Sequence, residues 1–341
     1  MEFRGIGFGV VTGSDGPSCS DTRVPAGVRN GLWALSLAAV SACSGTAAAL
    51  GRMEREARQH PRPELDKVIA SHQDLVPALG PLRERTLDLQ PGLLPVVAAS
   101  VNGRPCHALL DTGTSMMAMD AEFGEQAGLY LDLQKKIGAI HPGRTLELRL
   151  GAAEEIELGG MRFGPAVTGL PSTEEGAASM FGPKRRYAAI VGNSVLSHFR
   201  VRFDFRRRVV RLTPHGRDSP GRGVLLVRAQ AGKHEVRLLV DSGAHGLFLN
   251  PETAVRLGLL DRATPQVGRA RRLARRLPLL TVANRRFYNV PVSVITLVHD
   301  DVPKHIVAEF AQPDGLLGLS GFGPLVWTID YGSRKISVAP R

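Results

Sequence analysis

Cysteine is nearly absent: the 341 residues hold only Cys19, Cys43 and Cys106. Three thiols so far apart exclude a disulfide framework and a Cys-rich metal cluster. Cys106 lies in a strand-like run with no dedicated base beside it, so it reads as buried filler and not as a nucleophile. Aromatic residues are scarce too, at 5%. None interleaves with the basic residues as a stacking platform, so the net charge of +11 does not by itself indicate nucleic acid. His141, His234, His245 and His305 are scattered without metal-ligand spacing, which leaves a zinc centre unsupported. No metal and no organic cofactor is expected.

Glycine and proline, by contrast, are plentiful, with 38 and 23 copies beside 43% hydrophobic and 22% charged residues. That mixture describes a soluble, turn-rich globular protein built from short strands. The length exceeds one ordinary core and predicts two domains plus processing segments.

Residues Gly31–Val40 form an apolar run too short to span a bilayer comfortably, preceded by Arg23 and Arg29 and followed by small residues. This is a signal-peptide pattern. Its end, Val40-Ser41-Ala42-Cys43, resembles the bacterial lipobox, which implies acylation of Cys43, an exported body on the periplasmic side of the cell envelope, and a lipid anchor. The other readings are a plain secretory signal cleaved near Ala47 to Ala49, or an anchor that stays uncut. Residues 1–42 are therefore expected as N-terminal extension and signal. Residues 43–90 are expected as a tether, with a weak helical pattern through Leu65, Val68, Ile69 and Leu75.

From residue 91 onward the chain repeats one order of elements, as lobes 91–215 and 222–341. Each half opens on an extended run with a two-residue bend, Asn102-Gly103 and Gly232-Lys233. Asp111 then lies nine residues before Asp120 and seventeen before Gly128, while Asp241 lies nine before Asn250 and seventeen before Gly258. Asp120 and Asn250 are good helix N-caps, so a short helix ending at glycine is expected after each aspartate. Paired strand runs follow, with Phe163 and Phe287 at matching places. Each half closes on Ile190-Val191-Gly192 or Leu316-Leu317-Gly318, with Asp204 and Asp330 twelve residues after those glycines. The two late aspartates sit in strand-like runs and read as structural.

Leu109-Leu110-Asp111-Thr112-Gly113-Thr114 and Leu239-Val240-Asp241-Ser242-Gly243-Ala244 resemble the two active-site signatures of aspartic peptidases. The later Gly192 and Gly318 blocks resemble the hydrophobic-hydrophobic-glycine motif that packs beside the catalytic loops in that family. The resemblance implies an all-β fold with short helices, in two tandem retropepsin-like barrel lobes related by a pseudo-twofold axis. It implies catalysis by Asp111 and Asp241, with loop support from Thr112, Gly113, Thr114, Ser242, Gly243 and Ala244. The substrate would be an extended peptide or unfolded protein held in a cleft under hairpins, for which Gly159-Gly160 and the stretch before Phe287 are candidates. The Thr114 hydroxyl is expected to help keep Asp111 charged while Asp241 more often carries the proton, and His245 to shape its loop.

The chemistry itself asks for such a pair. Splitting an amide without metal or covalent intermediate needs one group to take a proton from water and one to polarise the carbonyl, and two carboxyls sharing a proton do both. One Asp-Thr-Gly is an ordinary turn; two at apolar strand ends are another matter. The alternative function on the same fold is a catalytically silent peptide-binding envelope lipoprotein, and a weaker one is a structural lipoprotein holding lipid or polymer. Arg269, Arg271, Arg272, Arg275 and Arg276 form a basic run, read as a solvated loop or as a contact for an anionic membrane surface. A monomer is expected, without nucleic acid.

Overall fold

The two-residue bends close as hairpins. Val96–Val101 pairs with Arg104–Leu110, with Val101 opposite Arg104. Asn102 and Gly103 both take positive φ, 48° and 77°, the combination of a type I′ turn. Leu226–Ala231 pairs with His234–Asp241 in the same way, Ala231 opposite His234. There only Gly232 has positive φ, at 59°, as the first position of a II′ turn requires.

The computed structural model describes residues 33–71, 75–141, 144–182, 184–215, 223–261, 271–273, 275–295 and 313–339. The front of the signal segment and Arg269 lie outside that description. Among the described residues the fold is mostly β, with six short-to-medium α-helices: α1 Trp33–Gln59, α2 Pro63–Ala70, α3 Ala121–Gln126, α4 Glu174–Phe181, α5 Asn193–Leu196 and α6 Pro251–Arg256. A nine-stranded sheet builds the first lobe, an eight-stranded sheet the second, and a five-stranded sheet joins them.

The lobes match strand for strand. Val101 pairs with Ile156, which pairs with Phe163; Ala231 pairs with Leu280, which pairs with Phe287. Asp120 caps α3 by accepting from the N–H groups of Glu122 and Phe123, and Asn250 caps α6 by accepting from Thr253. Both helices end alike. Leu129 N–H donates to Gly124 O and Gly128 N–H to Glu125 O; Leu259 N–H donates to Ala254 O and Gly258 N–H to Val255 O. These are paired Schellman closures, with Gly128 and Gly258 at φ 65° and 69°.

In the joining sheet, Phe199–Asp204 of the first half runs antiparallel to Val326–Asp330 of the second, with Phe203 opposite Trp327. Asp204 accepts the N–H of Arg207 and Asp330 that of Ser333, capping the hairpin turns at the ends of those strands. Apolar side chains from this sheet and from both lobes form one continuous core, which includes Val97, Leu110, Phe203, Trp327, Val240 and Leu317. The two lobes are therefore not separable bodies in packing.

The segment expected as a tether is part of the first lobe. Helix α1 runs unbroken through the 42/43 boundary and presents Thr46, Ala49, Leu50, Met53 and Ala57, all buried. These positions follow the i, i+3, i+4, i+7 spacing of a helix face, so the stripe is legible in the sequence once that window is read as helix. Polar contacts reinforce it: Thr46 donates to Glu174, Arg52 pairs with Glu125, and Glu54 with the buried Arg149. Helix α2 buries Leu65 and Ile69 but stops at Ala70, short of Leu75. Among the described residues no helix is long and apolar enough to cross a membrane.

If α1 belongs to the lobe, Met53→Ala will lower unfolding stability by about 2–4 kcal/mol, the usual loss for truncating a buried methionine. Urea denaturation of the full chain measures it; a change below about 0.5 kcal/mol would mean that the helix is merely resting on the surface.

Candidate active site

Each aspartate ends the inner strand of its lobe's first hairpin, where a parallel neighbour holds it. Leu109 and Leu110 pair with Ile190 and Val191, and Asp111 N–H donates to Val191 O. Val240 and Asp241 pair with Leu317 and Gly318. Gly192 and Gly318, at these neighbours, lie hard against the catalytic loop of their own lobe. A Cβ on Gly192 would sit 2.1 Å from Met116 O, and one on Gly318 would sit 2.7 Å from Gly246 O. Only glycine fits at either place.

The two loops meet at the junction of the lobes. Thr112 Oγ1 donates to Val240 O at 2.9 Å and accepts from Ser242 N–H at 3.0 Å. Ser242 Oγ donates to Leu110 O at 2.6 Å and accepts from Thr112 N–H at 3.0 Å. Both side chains are fully buried, so the four bonds form a reciprocal grip shielded from water. Gly113 and Gly243 then let the carboxyls cross. A Cβ on Gly113 would lie 2.7 Å from Asp241 Cγ, and one on Gly243 would lie 2.7 Å from Asp111 Cγ.

The aspartate carboxyls are therefore neighbours, within hydrogen-bonding reach of one another; both residues are partly exposed, while Asp241 Oδ1 is buried. Burial raises the Asp111 pKa, while the Gly113 N–H, donating to Oδ1 at 2.7 Å, pulls it back. Asp241 is pushed further up, first by burial and then by the adjacent Asp111 charge, against the Gly243 and Ala244 N–H groups. Burial thus raises both acids, so the pair holds a proton more readily than two free carboxyls would, and such a pair can accept one proton while donating another.

Thr114 does not act as expected. Its hydroxyl donates to Met116 O at 3.4 Å and not to Asp111, while its methyl lies against Gly192. His245 Nδ1 lies 3.1 Å from Ser320 Oγ, which also reaches Ala244 O, so it braces its loop. Burial pushes the Cys106 thiol up to about 11, which keeps it an unreactive thiol at neutral pH.

Three residues near the dyad had no place in the sequence reading. Tyr187, three residues before Ile190, feels both carboxylates, and its hydroxyl donates to Met180 O at 2.7 Å. Its position just ahead of the glycine block is the signal that was there to be used. Asn193 and Tyr331 reach the first loop by a route that no spacing rule indicates.

The Gly159-Gly160 turn does not overhang the site. It closes a short hairpin between Ile156–Leu158 and Met161–Phe163, and Arg85 of the joining sheet donates to Gly159 O at 2.9 Å. Ala283-Asn284, before Phe287, closes the equivalent hairpin of the second lobe. The longest hairpin of the first lobe is instead Tyr130–His141 with Arg144–Ala153.

Two lobes carrying one aspartate each at a shared junction define a tandem retropepsin-like β fold. The family model described as Aspartyl protease matches residues 97–180 and 227–320, more than half of the chain. This chain belongs to the aspartyl protease family. Among solved structures, a retropepsin-like aspartic protease from Rickettsia conorii is similar at 22% identity, over 29% of this chain and 68% of its own, with a TM-score of 0.21. No curated protein sequence matches the chain.

The raised Asp241 pKa has a stability consequence. A folded-state pKa above the unfolded value means that the group's stabilising contribution is complete below the ordinary carboxylate range and is lost as pH rises through the raised value. Asp241→Asn removes that titration. Its melting temperature should exceed wild type at neutral pH, with the gap closing toward about pH 4. Thermal melts across that range test it, and a gap independent of pH would contradict it.

Proposed function

We propose that this chain is an exported aspartic endopeptidase that hydrolyses peptide bonds through a water activated jointly by Asp111 and Asp241. The observation that carries the reading is the reciprocal approach of Gly113 and Gly243 to the opposite carboxyls, which brings two acids to one place. In the proposed reaction Asp111, ionised, takes a proton from water as its oxygen attacks the carbonyl carbon. Asp241 gives its proton to the carbonyl oxygen. The resulting gem-diol collapses with cleavage of the C–N bond: one of its hydroxyls returns a proton to Asp241 as the C=O bond re-forms, and the amine leaves with the proton taken from Asp111. An extended segment would bind by backbone pairing, for which the long hairpin Tyr130–His141 with Arg144–Ala153 is the natural cover.

In this reading the protein resides in the envelope through Cys43, which precedes by three residues Thr46 of α1, whose hydroxyl donates to Glu174 of the lobe. An acyl chain on Cys43 would then hold the lobe close to the bilayer. On the second lobe, Arg275 and Arg276 are exposed, with Arg275 beside Asp261 and Gly258 O and Arg276 on Asn289 O. Arg271 and Arg272 belong to a short paired strand. Each such cation near anionic headgroups contributes about 1 kcal/mol.

The dyad is tested with the full chain in detergent and a peptide library over a range of pH. Asp111→Asn and Asp241→Asn should each reduce cleavage by about a hundredfold or more. The alkaline limb of the rate profile, set by loss of the Asp241 proton, should lie above the ordinary carboxylate range. Cleavage retained in either variant would exclude the mechanism, and tight peptide binding without cutting would replace it with the silent binding protein.

The anchor is tested separately. Cys43→Ser should move the chain from the membrane fraction to the soluble one on cell fractionation, and an unchanged distribution would remove the lipid anchor.

A further inference from the structure

The two catalytic loops are built on one plan but are not held equally. In the first, every polar group of Thr112 is committed. Its N–H and hydroxyl enter the grip with Ser242 and Val240, and its carbonyl accepts from Asn193 Nδ2–H at 3.0 Å. The Asn193 backbone N–H donates to Thr114 O at 2.9 Å, and the Ser194 N–H to Ser115 O at 2.8 Å. Because a carbonyl only accepts, the Asn193 amide nitrogen must face Thr112. Its Oδ1 is then left for a donor, which is the hydroxyl of Tyr331.

Both side chains are 1% exposed. Tyr331 follows strand Val326–Asp330 of the second half, so the contact ties the first loop across the lobe junction to the joining sheet. Burial and the Asp111 carboxylate push the Tyr331 phenol far above its ordinary value, so its hydroxyl stays a donor.

Among the described residues the second loop has no buried chain of this kind; its side-chain brace is the exposed His245 with Ser320, whose hydroxyl reaches Ala244 O at 3.4 Å. Asn193 directly follows Gly192, and the residue directly following Gly318 is Leu319, which is buried and apolar. Tyr331 directly follows Asp330, and the residue directly following Asp204 is Phe205, which stacks on Phe203 at 5.9 Å. The two positions that would make the equivalent chain both lack a hydrogen-bonding group.

Building on the peptidase reading, we infer that Asn193 and Tyr331 form a positioning pair that locks the first catalytic loop and not the second, making Asp111 the more firmly fixed member of the dyad. The pair acts through Thr112 and touches no substrate. Its asymmetry matches the asymmetric task, since the group that aligns the attacking water is the one whose misplacement costs most.

The test copies each half onto the other in the full chain: Tyr331→Phe, Asn193→Leu and the double variant, each checked for native circular dichroism. Each single variant should lower kcat about ten- to a hundredfold with KM changed less than about threefold. The acid limb of the kcat/KM profile should move as Asp111 loses its fixed setting. The double variant should be no worse than the more damaged single one, because the two residues form one chain. Hydrogen–deuterium exchange should quicken in residues 109–116 and stay unchanged in 239–246.

Additive losses, an unmoved pH profile, or equal quickening in both loops would overturn the lock. If wild type cuts no peptide, the peptidase reading falls, yet the exchange measurement still decides whether the pair holds the first loop.

Discussion

Two like carboxyls resist being brought together, and the rest of the molecule is arranged around that constraint. Unit charges about 4 Å apart at an effective dielectric constant of about 20 repel by about 4 kcal/mol, which corresponds to about three pH units of proton binding. The pair responds by keeping one proton. The grip between Thr112 and Ser242 holds the loops level against that strain, with four buried hydrogen bonds of about 1 kcal/mol each. Attraction and repulsion at the junction are thus of the same order.

Duplication supplies the symmetry, and small departures from it make the two acids unequal. The strand pairings, the helix caps and the Schellman closures repeat faithfully. The departures gather behind the first loop, where Asn193 and Tyr331 stand in place of an aliphatic and a phenyl side chain. A perfectly symmetric pair would have no reason to put its proton on one side. Here the chain from Tyr331 through Asn193 to Thr112 stands behind the Asp111 loop, so the two acids have unequal surroundings.

The N-terminal helix adds a further asymmetry. Helix α1 covers the first lobe through a buried stripe, with ion pairs to Glu125 and Arg149 at its edges. The same network runs from Thr46 through Glu174 to Arg185, which also pairs with the α3 cap Asp120. The chain between Arg185 and Ile190 carries Tyr187 past the dyad. What precedes the lobe in sequence is therefore coupled to the wall of its site, and a truncation placed inside α1 would strip that support.

Much was legible in the order of residues because it depends on local rules. Bends at Asn102-Gly103 and Gly232, caps at Asp120 and Asn250, and closing glycines are each set by backbone conformations that few residues adopt. Their repetition in register revealed two lobes and paired the aspartates. The helical face through Ala49, Leu50 and Met53 was equally local, but it was hidden by a boundary drawn at a signal segment. Other features had no local cause. The turn that aims the Thr114 hydroxyl at Met116, the seating of Gly159 against Arg85, and the approach of Tyr331 to Asn193 all depend on where distant strands finally pack. The sequence by itself determined two equivalent lobes, each bearing an acid, because turns and caps are dictated by neighbours along the chain. Only the tertiary structure decided how the loops that carry those acids differ, because the bonds from Asn193 to Thr112 and from Tyr331 to Asn193 join residues 81 and 138 positions apart.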